Sequence, residues 1–179
     1  MNQGNEEKHI FWLMGPTSSG KTTLAKLLHE RLCFRNKFVL HFDGDEVRDT
    51  FGNNLGFSNS DRLLVIKTLV YASNKGLAAA ANVVVSALTA FDDARLYIKG
   101  NLHSPIIIYL KCSISECAKR DPKGLYAKEK KGEIDTLVGV SSVYKEHPNP
   151  DIILDTEKSM AEDSFQQLIS ELSKLKINI

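Results

Sequence analysis

Five short apolar runs recur along the chain, and most are followed by a stretch in which apolar residues return every three or four positions. The runs, at residues 10–14, 38–42, 82–86, 105–110 and 152–154, are nearly continuous in Val, Ile, Leu and aromatic residues. Runs of that length and composition predict strands buried on both sides, as in a parallel sheet. Helices are predicted over 20–33, 60–75, 92–102, 113–119 and 159–175. In the first of these, Leu24, Leu27, Leu28 and Leu32 fall on one face. Ser60 and Ser159 suit N-caps, with Asp61 and Glu162 in the first turns. The alternation predicts an α/β fold of three layers: a mostly parallel five-stranded sheet with helices on both faces. The turn signal Asp121-Pro122-Lys123-Gly124 introduces a segment rich in lysine and glutamate that runs to Glu133. That segment reads equally as a solvated helix or as a weakly packed lid, about residues 120–135, able to close over a ligand.

Length and composition narrow the class. A chain of 179 residues with 42% hydrophobic and 25% charged content predicts one domain, 1–179, with an ordinary core. A net charge of +1 argues against a nucleic-acid surface spread over the protein. Met1 to Lys8 is polar and mixed in charge, unlike a signal peptide or membrane anchor, and no apolar run approaches a membrane span. No nucleic-acid or membrane partner is expected, and the expected location is cytoplasmic. Cys33, Cys112 and Cys117 form neither an even disulfide framework nor a paired zinc spacing, which suits reduced, part-buried thiols. The five histidines are scattered without metal-ligand spacing.

The chemistry starts at Gly15-Pro16-Thr17-Ser18-Ser19-Gly20-Lys21-Thr22-Thr23, which satisfies the phosphate-binding loop pattern between a predicted strand and a predicted helix. Loop amides and the positive end of the helix dipole attract phosphate oxygens. Lys21 is placed to reach the β- and γ-phosphates and Thr22 to hold Mg²⁺. Gly15, Ser18, Ser19, Gly20, Lys21, Thr22 and Thr23 are therefore the candidate contacts for ATP. The competing reading is a Gly/Ser-rich turn that matches by chance. The second strand runs into Asp43-Gly44-Asp45-Glu46-Val47-Arg48. Ligands of such sheets bind beyond the carboxyl ends of strands, which suits the two carboxylates for chemistry. One, Asp43, can serve the Mg²⁺ shell while the other, Asp45, meets an acceptor hydroxyl. Taken alone, the pair reads more simply as an Asp-Gly turn with a helix N-cap.

In order along the chain these segments resemble the adenylyl-sulfate kinase (APS kinase) family. Beside the loop and Asp43–Arg48 stand Asn54-Leu55-Gly56-Phe57-Ser58 with Asp61-Arg62, then Arg120-Asp121-Pro122-Lys123-Gly124-Leu125-Tyr126, then Gly132-Glu133-Ile134, and finally Pro150-Asp151 with Leu154-Asp155-Thr156. The resemblance implies a P-loop NTPase-type kinase with a helical lid. It implies transfer of the γ-phosphoryl group of ATP, with Mg²⁺, to the ribose 3′-hydroxyl of a nucleotide, by default adenosine 5′-phosphosulfate (APS). By the same resemblance Lys21, Asp43 and Asp45 are catalytic, and Arg120 joins the ATP contacts. Arg48 and Arg62 hold the acceptor's anionic group, as guanidinium forks suit phosphate and sulfate. Phe57 forms one wall of the base pocket, and Lys123 closes with the lid. Arg95 matches a family position without an assigned role. A homodimer is expected.

Two departures fall on the acceptor side. Where the family reads Ile-Ser-Pro-Tyr, with a serine phosphorylated in some members, this chain has Leu88-Thr89-Ala90-Phe91. Where the family places a second stacking phenylalanine, this chain has Leu137, in Leu137-Val138-Gly139-Val140. Base–aromatic stacking is worth about 1–3 kcal/mol, enough to alter preference. Leu88, Thr89 and Leu137 are therefore candidate acceptor contacts. A related class that phosphorylates cytidine diphosphoramidate in capsule biosynthesis is the alternative acceptor reading, since a pyrimidine needs less stacking surface. A non-catalytic nucleotide-binding protein and a nucleic-acid-binding NTPase are the competing classes. The intact Lys21, Asp43 and Asp45 oppose the first, and the charge balance opposes the second.

Overall fold

The computed structural model describes residues 7–179, leaving Met1 to Glu6 outside the described residues. Strands β1 (Ile10–Met14), β2 (Val39–Asp43), β3 (Asn82–Ala87), β4 (Ile106–Lys111) and β5 (Ile152–Asp155) form one sheet in the order β2-β3-β1-β4-β5. Every neighbouring pair is parallel, so "mostly parallel" becomes wholly parallel. The last four strands begin within a residue of the predicted positions.

Alternation along β1 sorts the core into two layers. Phe11 and Leu13 pack on one face with Leu24, Leu28 and Leu32 of α1 (Lys21–Phe34) and with Phe165, Leu168 and Leu172 of the C-terminal helix, 161–174. Ile10, Trp12 and Met14 pack on the other face with Val65, Ile66 and Leu69 of a long helix, 59–78, and with Ala94 and Ile98 of the helix at 92–101. All five β1 residues are buried, as the unbroken apolar run requires.

Among the described residues the helices are α1, α2 (Gly44–Thr50), α3 (Asn59–Ala78), α4 (Asp92–Asn101), α5 (Ile114–Arg120), α6 (Leu125–Lys130) and α7 (Ala161–Lys174). Two N-cap expectations are corrected. Ser58, not Ser60, caps α3: its side chain accepts from Asp61 N–H while the Asp61 side chain accepts from the Ser58 backbone, a reciprocal capping box. Helix α7 starts from Met160 in extended conformation, and Ser159 lies one residue outside it. Helix α2 was not anticipated from periodicity. It has no buried residue to create an apolar stripe, and it is started by the Asp43 side chain accepting from Asp45 N–H.

Candidate active site

The register of the sheet gathers the chemistry. Met14 at the end of β1 pairs with Ala87, and Asp43 at the end of β2 pairs with Ser86. The loop after β1 and the carboxylate after β2 thus emerge on either side of β3, at the carboxyl edge where such sheets bind ligands. The loop is a tight cradle. A side chain on Gly15 would meet Leu110 O at 2.6 Å, and Gly20 has φ +95°, a left-handed conformation that favours glycine. Gly20 also begins α1 with no side-chain cap, so the first helical amides are open to an anion. Ser19 Oγ is buried in the loop without a hydrogen-bond partner. A phosphate oxygen would satisfy it.

Thr22 Oγ1 donates to Asp43 Oδ2 at 2.8 Å, Ser86 Oγ donates to the same oxygen at 2.6 Å, and Asp45 N–H donates to Asp43 Oδ1 at 2.9 Å. Burial acts to raise the Asp43 carboxyl, but the hydrogen bonds from Ser86, Asp45 and Thr22 outweigh it and hold it below the usual carboxylate range. Asp43 is therefore both the N-cap of α2 and the partner of the loop threonine. Because Thr22 spends its only hydrogen on Asp43, its lone pairs remain for a cation. No cluster of three or more His, Cys, Asp or Glu suited to a metal exists among the described residues. A single hydroxyl backed by a carboxylate, beside a phosphate cradle, suits Mg²⁺, which keeps water and phosphate oxygens as its other ligands.

Lys21 folds back so that Nζ donates to Pro16 O at 2.6 Å. Burial pulls its ammonium down to about 8, with Asp45 and Asp43 acting against the fall. Asp45 is mostly exposed and pairs with Lys123 at 2.5 Å across 78 residues of sequence. That hydrogen bond raises the lysine above its ordinary value. The segment expected as a lid is better packed than its composition implied. Tyr126 is buried and donates to Thr17 O at 3.0 Å, pinning α6 onto the phosphate loop. Arg120 donates to Thr156 O at 2.6 Å, and Thr156 Oγ1 donates to Ser19 O at 2.9 Å.

Opposite the loop stand Arg48, Arg62 and Phe57. Phe57 is 51% exposed, which excludes an ordinary core role. The Arg48 and Arg62 guanidinium carbons lie 4.7 and 5.5 Å from its ring centroid. Arg48 donates to Gly56 O, and Arg62 donates to Phe57 O and Thr136 O. Burial lowers both arginines, and Arg48 lowers Arg62 further. Two partly desolvated cations on one ring form a natural seat for an anion carrying a flat base. Thr17 to Thr23 of the loop, Asp43, Asp45, Arg48, Phe57, Arg62, Arg120 and Lys123, with Leu88, Thr89, Phe91 and Leu137, line one cleft of about 890 Å³. That volume is at the upper end for small-molecule sites.

Three residues look different in space than in sequence. Thr89 is 3% exposed, has φ +44°, and its hydroxyl accepts from Trp12 Nε1 at 3.0 Å. Leu137 is buried with Cys112, Cys117 and Tyr126, so only its edge reaches the cleft. Arg95 is a buried clamp. It donates to Thr89 O, Ala90 O, Lys145 O and Glu146 O, tying the loop after β3 to the segment before β5. Sequence reasoning missed Ser86, Tyr126 and Thr156 as contributors to the site. Tyr126 and Thr156 stood inside quoted motifs, whereas Ser86 offered no signal before its register with Asp43 was seen. Cys112 and Cys117 are buried, Cys33 is exposed, and all are free thiols. No helix among the described residues is long and apolar enough to cross a membrane.

Comparisons with known proteins agree with this geometry. The family model described as adenylylsulphate kinase matches residues 7–155. The adenylyl-sulfate kinase of Oceanobacillus iheyensis is 35% identical over 170 residues, spanning 94% of this chain and 85% of the relative. That of Staphylococcus epidermidis is 34% identical over 175 residues, spanning 97% and 88%. The Mycobacterium tuberculosis APS kinase, in a structure with AMPPNP and APS, superposes with a TM-score of 0.83 at 29% identity over 93% of this chain and 98% of that one.

Proposed function

The chain belongs to the adenylylsulphate kinase family, and from that premise we propose that it transfers the γ-phosphoryl group of ATP to the ribose 3′-hydroxyl of APS. The observation that carries this reading is that a phosphate loop and a paired-arginine, single-phenylalanine seat line the same cleft. One half suits a triphosphate donor and the other an anionic nucleotide acceptor.

Gly15, Ser18, Ser19, Gly20 and Thr23 shape the cradle for the ATP phosphates, with Arg120 at its outer edge. Mg²⁺, held at Thr22 with Asp43 behind it, would neutralise charge on the β- and γ-phosphates. Lys21 leaves Pro16 O for the same phosphates. Arg48 and Arg62 hold the acceptor's sulfated 5′ tail, and its adenine lies against Phe57. Asp45 accepts the proton of the attacking 3′-hydroxyl as the new O–P bond forms and the bond to the leaving ADP breaks. Lys123 is then free to turn from Asp45 to the transferring group. Residues 120–135 act as the lid over both substrates, with Tyr126 as the latch on the loop. The setting is a cytoplasmic homodimer of single-domain subunits.

Incubation with ATP, Mg²⁺ and APS, followed by ion-exchange separation of the 3′-phosphorylated product, tests the reading. Lys21→Ala is expected to lose at least about 100-fold in kcat/KM, as for one preorganised electrostatic group. Absence of product from the wild-type protein overturns the APS assignment. A second reading is favoured by one observation: position 137 offers a buried leucine instead of a second aromatic wall. A pyrimidine acceptor such as cytidine diphosphoramidate loses less by that, and the same assay with this acceptor decides between them.

A further inference from the structure

The Asp43 carboxylate is held by a hydrogen-bond chain that continues across the sheet. Ser86 Oγ, which donates to Asp43 Oδ2 at 2.6 Å, lies 3.2 Å from His41 Nε2. Ser86 is buried, and it is the register partner of Asp43, while His41 stands two residues before Asp43 on the same strand face. Proton counting fixes the direction of the chain. Ser86 has one hydrogen and gives it to the carboxylate, so its oxygen can only accept from His41. The imidazole therefore carries its hydrogen on Nε2. The result is a sequence of donors, His41 to Ser86 to Asp43, that meets the Thr22 hydroxyl at the same carboxylate oxygen.

We propose that Ser86 and His41 are positioning residues for the Mg²⁺ site, fixing the Asp43 carboxylate so that it keeps the Thr22 hydrogen turned away from the cation. Without Ser86, Asp43 Oδ2 keeps only the Thr22 hydroxyl and Oδ1 only the Asp45 N–H, so the carboxylate is held less firmly against rotation about its last bond. Thr22 then no longer presents its lone pairs in one direction. Such outer contacts typically carry 10–100-fold of metal affinity. His41 does not line the cleft, and Ser86, which does, spends its one hydrogen on Asp43, so the loss is expected in the cation-dependent part of binding. His41, one step further out, contributes less than Ser86. The inference rests on the reading of Thr22 and Asp43 as the Mg²⁺ seat.

Calorimetric titration with a non-hydrolysable ATP analogue, in Mg²⁺ and in EDTA, tests it. Ser86→Ala is expected to lower the Mg²⁺-dependent gain in affinity about tenfold while leaving affinity in EDTA unchanged. His41→Leu should lower it about threefold, and His41→Gln, which keeps an N–H donor, should restore most of it. Thermal unfolding of each variant checks that the fold persists at the titration temperature, with Ser86→Thr as a second, hydroxyl-bearing variant expected to keep the gain. Equal losses with and without Mg²⁺, or no loss in Ser86→Ala, overturn the proposal. Asp43→Asn is the reference. If it too leaves the Mg²⁺ gain intact, the seat itself is misassigned; if it alone removes the gain, only the role of Ser86 and His41 fails.

Discussion

Removing the Thr89 hydroxyl should cost stability and spare chemistry. The family serine at this position is phosphorylated in some members, so a hydroxyl here invites a covalent role. The structure gives it another. Thr89 Oγ1 accepts from the indole N–H of Trp12, itself fully buried on β1 beneath the cleft. Thr89→Val keeps the volume and deletes the acceptor, leaving the indole donor buried and unpaired. That penalty is about 1–3 kcal/mol. At this chain length each kcal/mol moves the melting temperature by roughly 2–4 °C, so a fall of about 2–12 °C is expected. Thr89→Ser keeps the acceptor. It loses a buried methyl, worth about 0.8 kcal/mol, but it relieves β-branching at a residue with φ +44°. The two effects oppose, and the serine variant should melt within about 1 kcal/mol equivalent of wild type. The assay pairs thermal unfolding with steady-state kinetics well below either melting temperature. Both variants should keep kcat within a few-fold, because direct in-line transfer needs no protein carrier. A folded Thr89→Val protein without turnover, with serine active, would refute the reasoning and make the hydroxyl part of the chemistry. Equal melting of the two variants would refute the Trp12 account.

Three further outcomes follow from the cleft. Asp45→Asn should lower kcat by about 10²–10⁴-fold with little change in KM for ATP; weakened Mg·ATP binding with kcat spared would swap the roles of Asp43 and Asp45. Burial pulls the Lys21 ammonium of the free loop down to about 8, and a triphosphate favours its charged form. Above pH 8 binding must therefore take up a proton, and KM for Mg·ATP should rise by up to about tenfold per pH unit, which a pH series from below to above neutrality reads directly; a flat profile there, with Lys21→Arg no different, removes the assignment. Leu137→Phe must extend a ring from the filled cluster of Cys112, Cys117 and Tyr126, so it should cost about 1–3 kcal/mol of stability. It should also improve kcat/KM for APS over a cytidine acceptor by about fivefold or more, from stacking worth about 1–3 kcal/mol. Unchanged preference would move specificity to Leu88, Thr89 and Phe91.

The local code of this chain was strong where one element explains itself. Nearly continuous apolar runs marked the five strands, as expected of a parallel sheet covered on both faces, with Asn82 and Ser86 of β3 as buried polar exceptions. The loop from Gly15 to Thr23 named its own chemistry because glycine, lysine and threonine at those spacings have few other uses. Asp43 was legible as cap or catalyst, and its single side chain serves as the cap of α2 while also holding Thr22. Other features depend on which strands become neighbours, and no local pattern carries that. The insertion of β3 between β1 and β2 sets Ser86 beside Asp43, 43 residues apart, and lays Thr89 over Trp12, 77 apart. Arg95 reads as one more helix cation until four carbonyls from two loops converge on it. The segment after Asp121 shows the same division. Its composition read equally as a solvated helix or a weakly packed lid, but burial of Tyr126 beside Leu137, with its hydroxyl on Thr17 O, packs it against the phosphate loop. Local propensity and periodicity are properties of adjacent residues; which hydroxyl meets which carboxylate is decided only when register and packing close the distance.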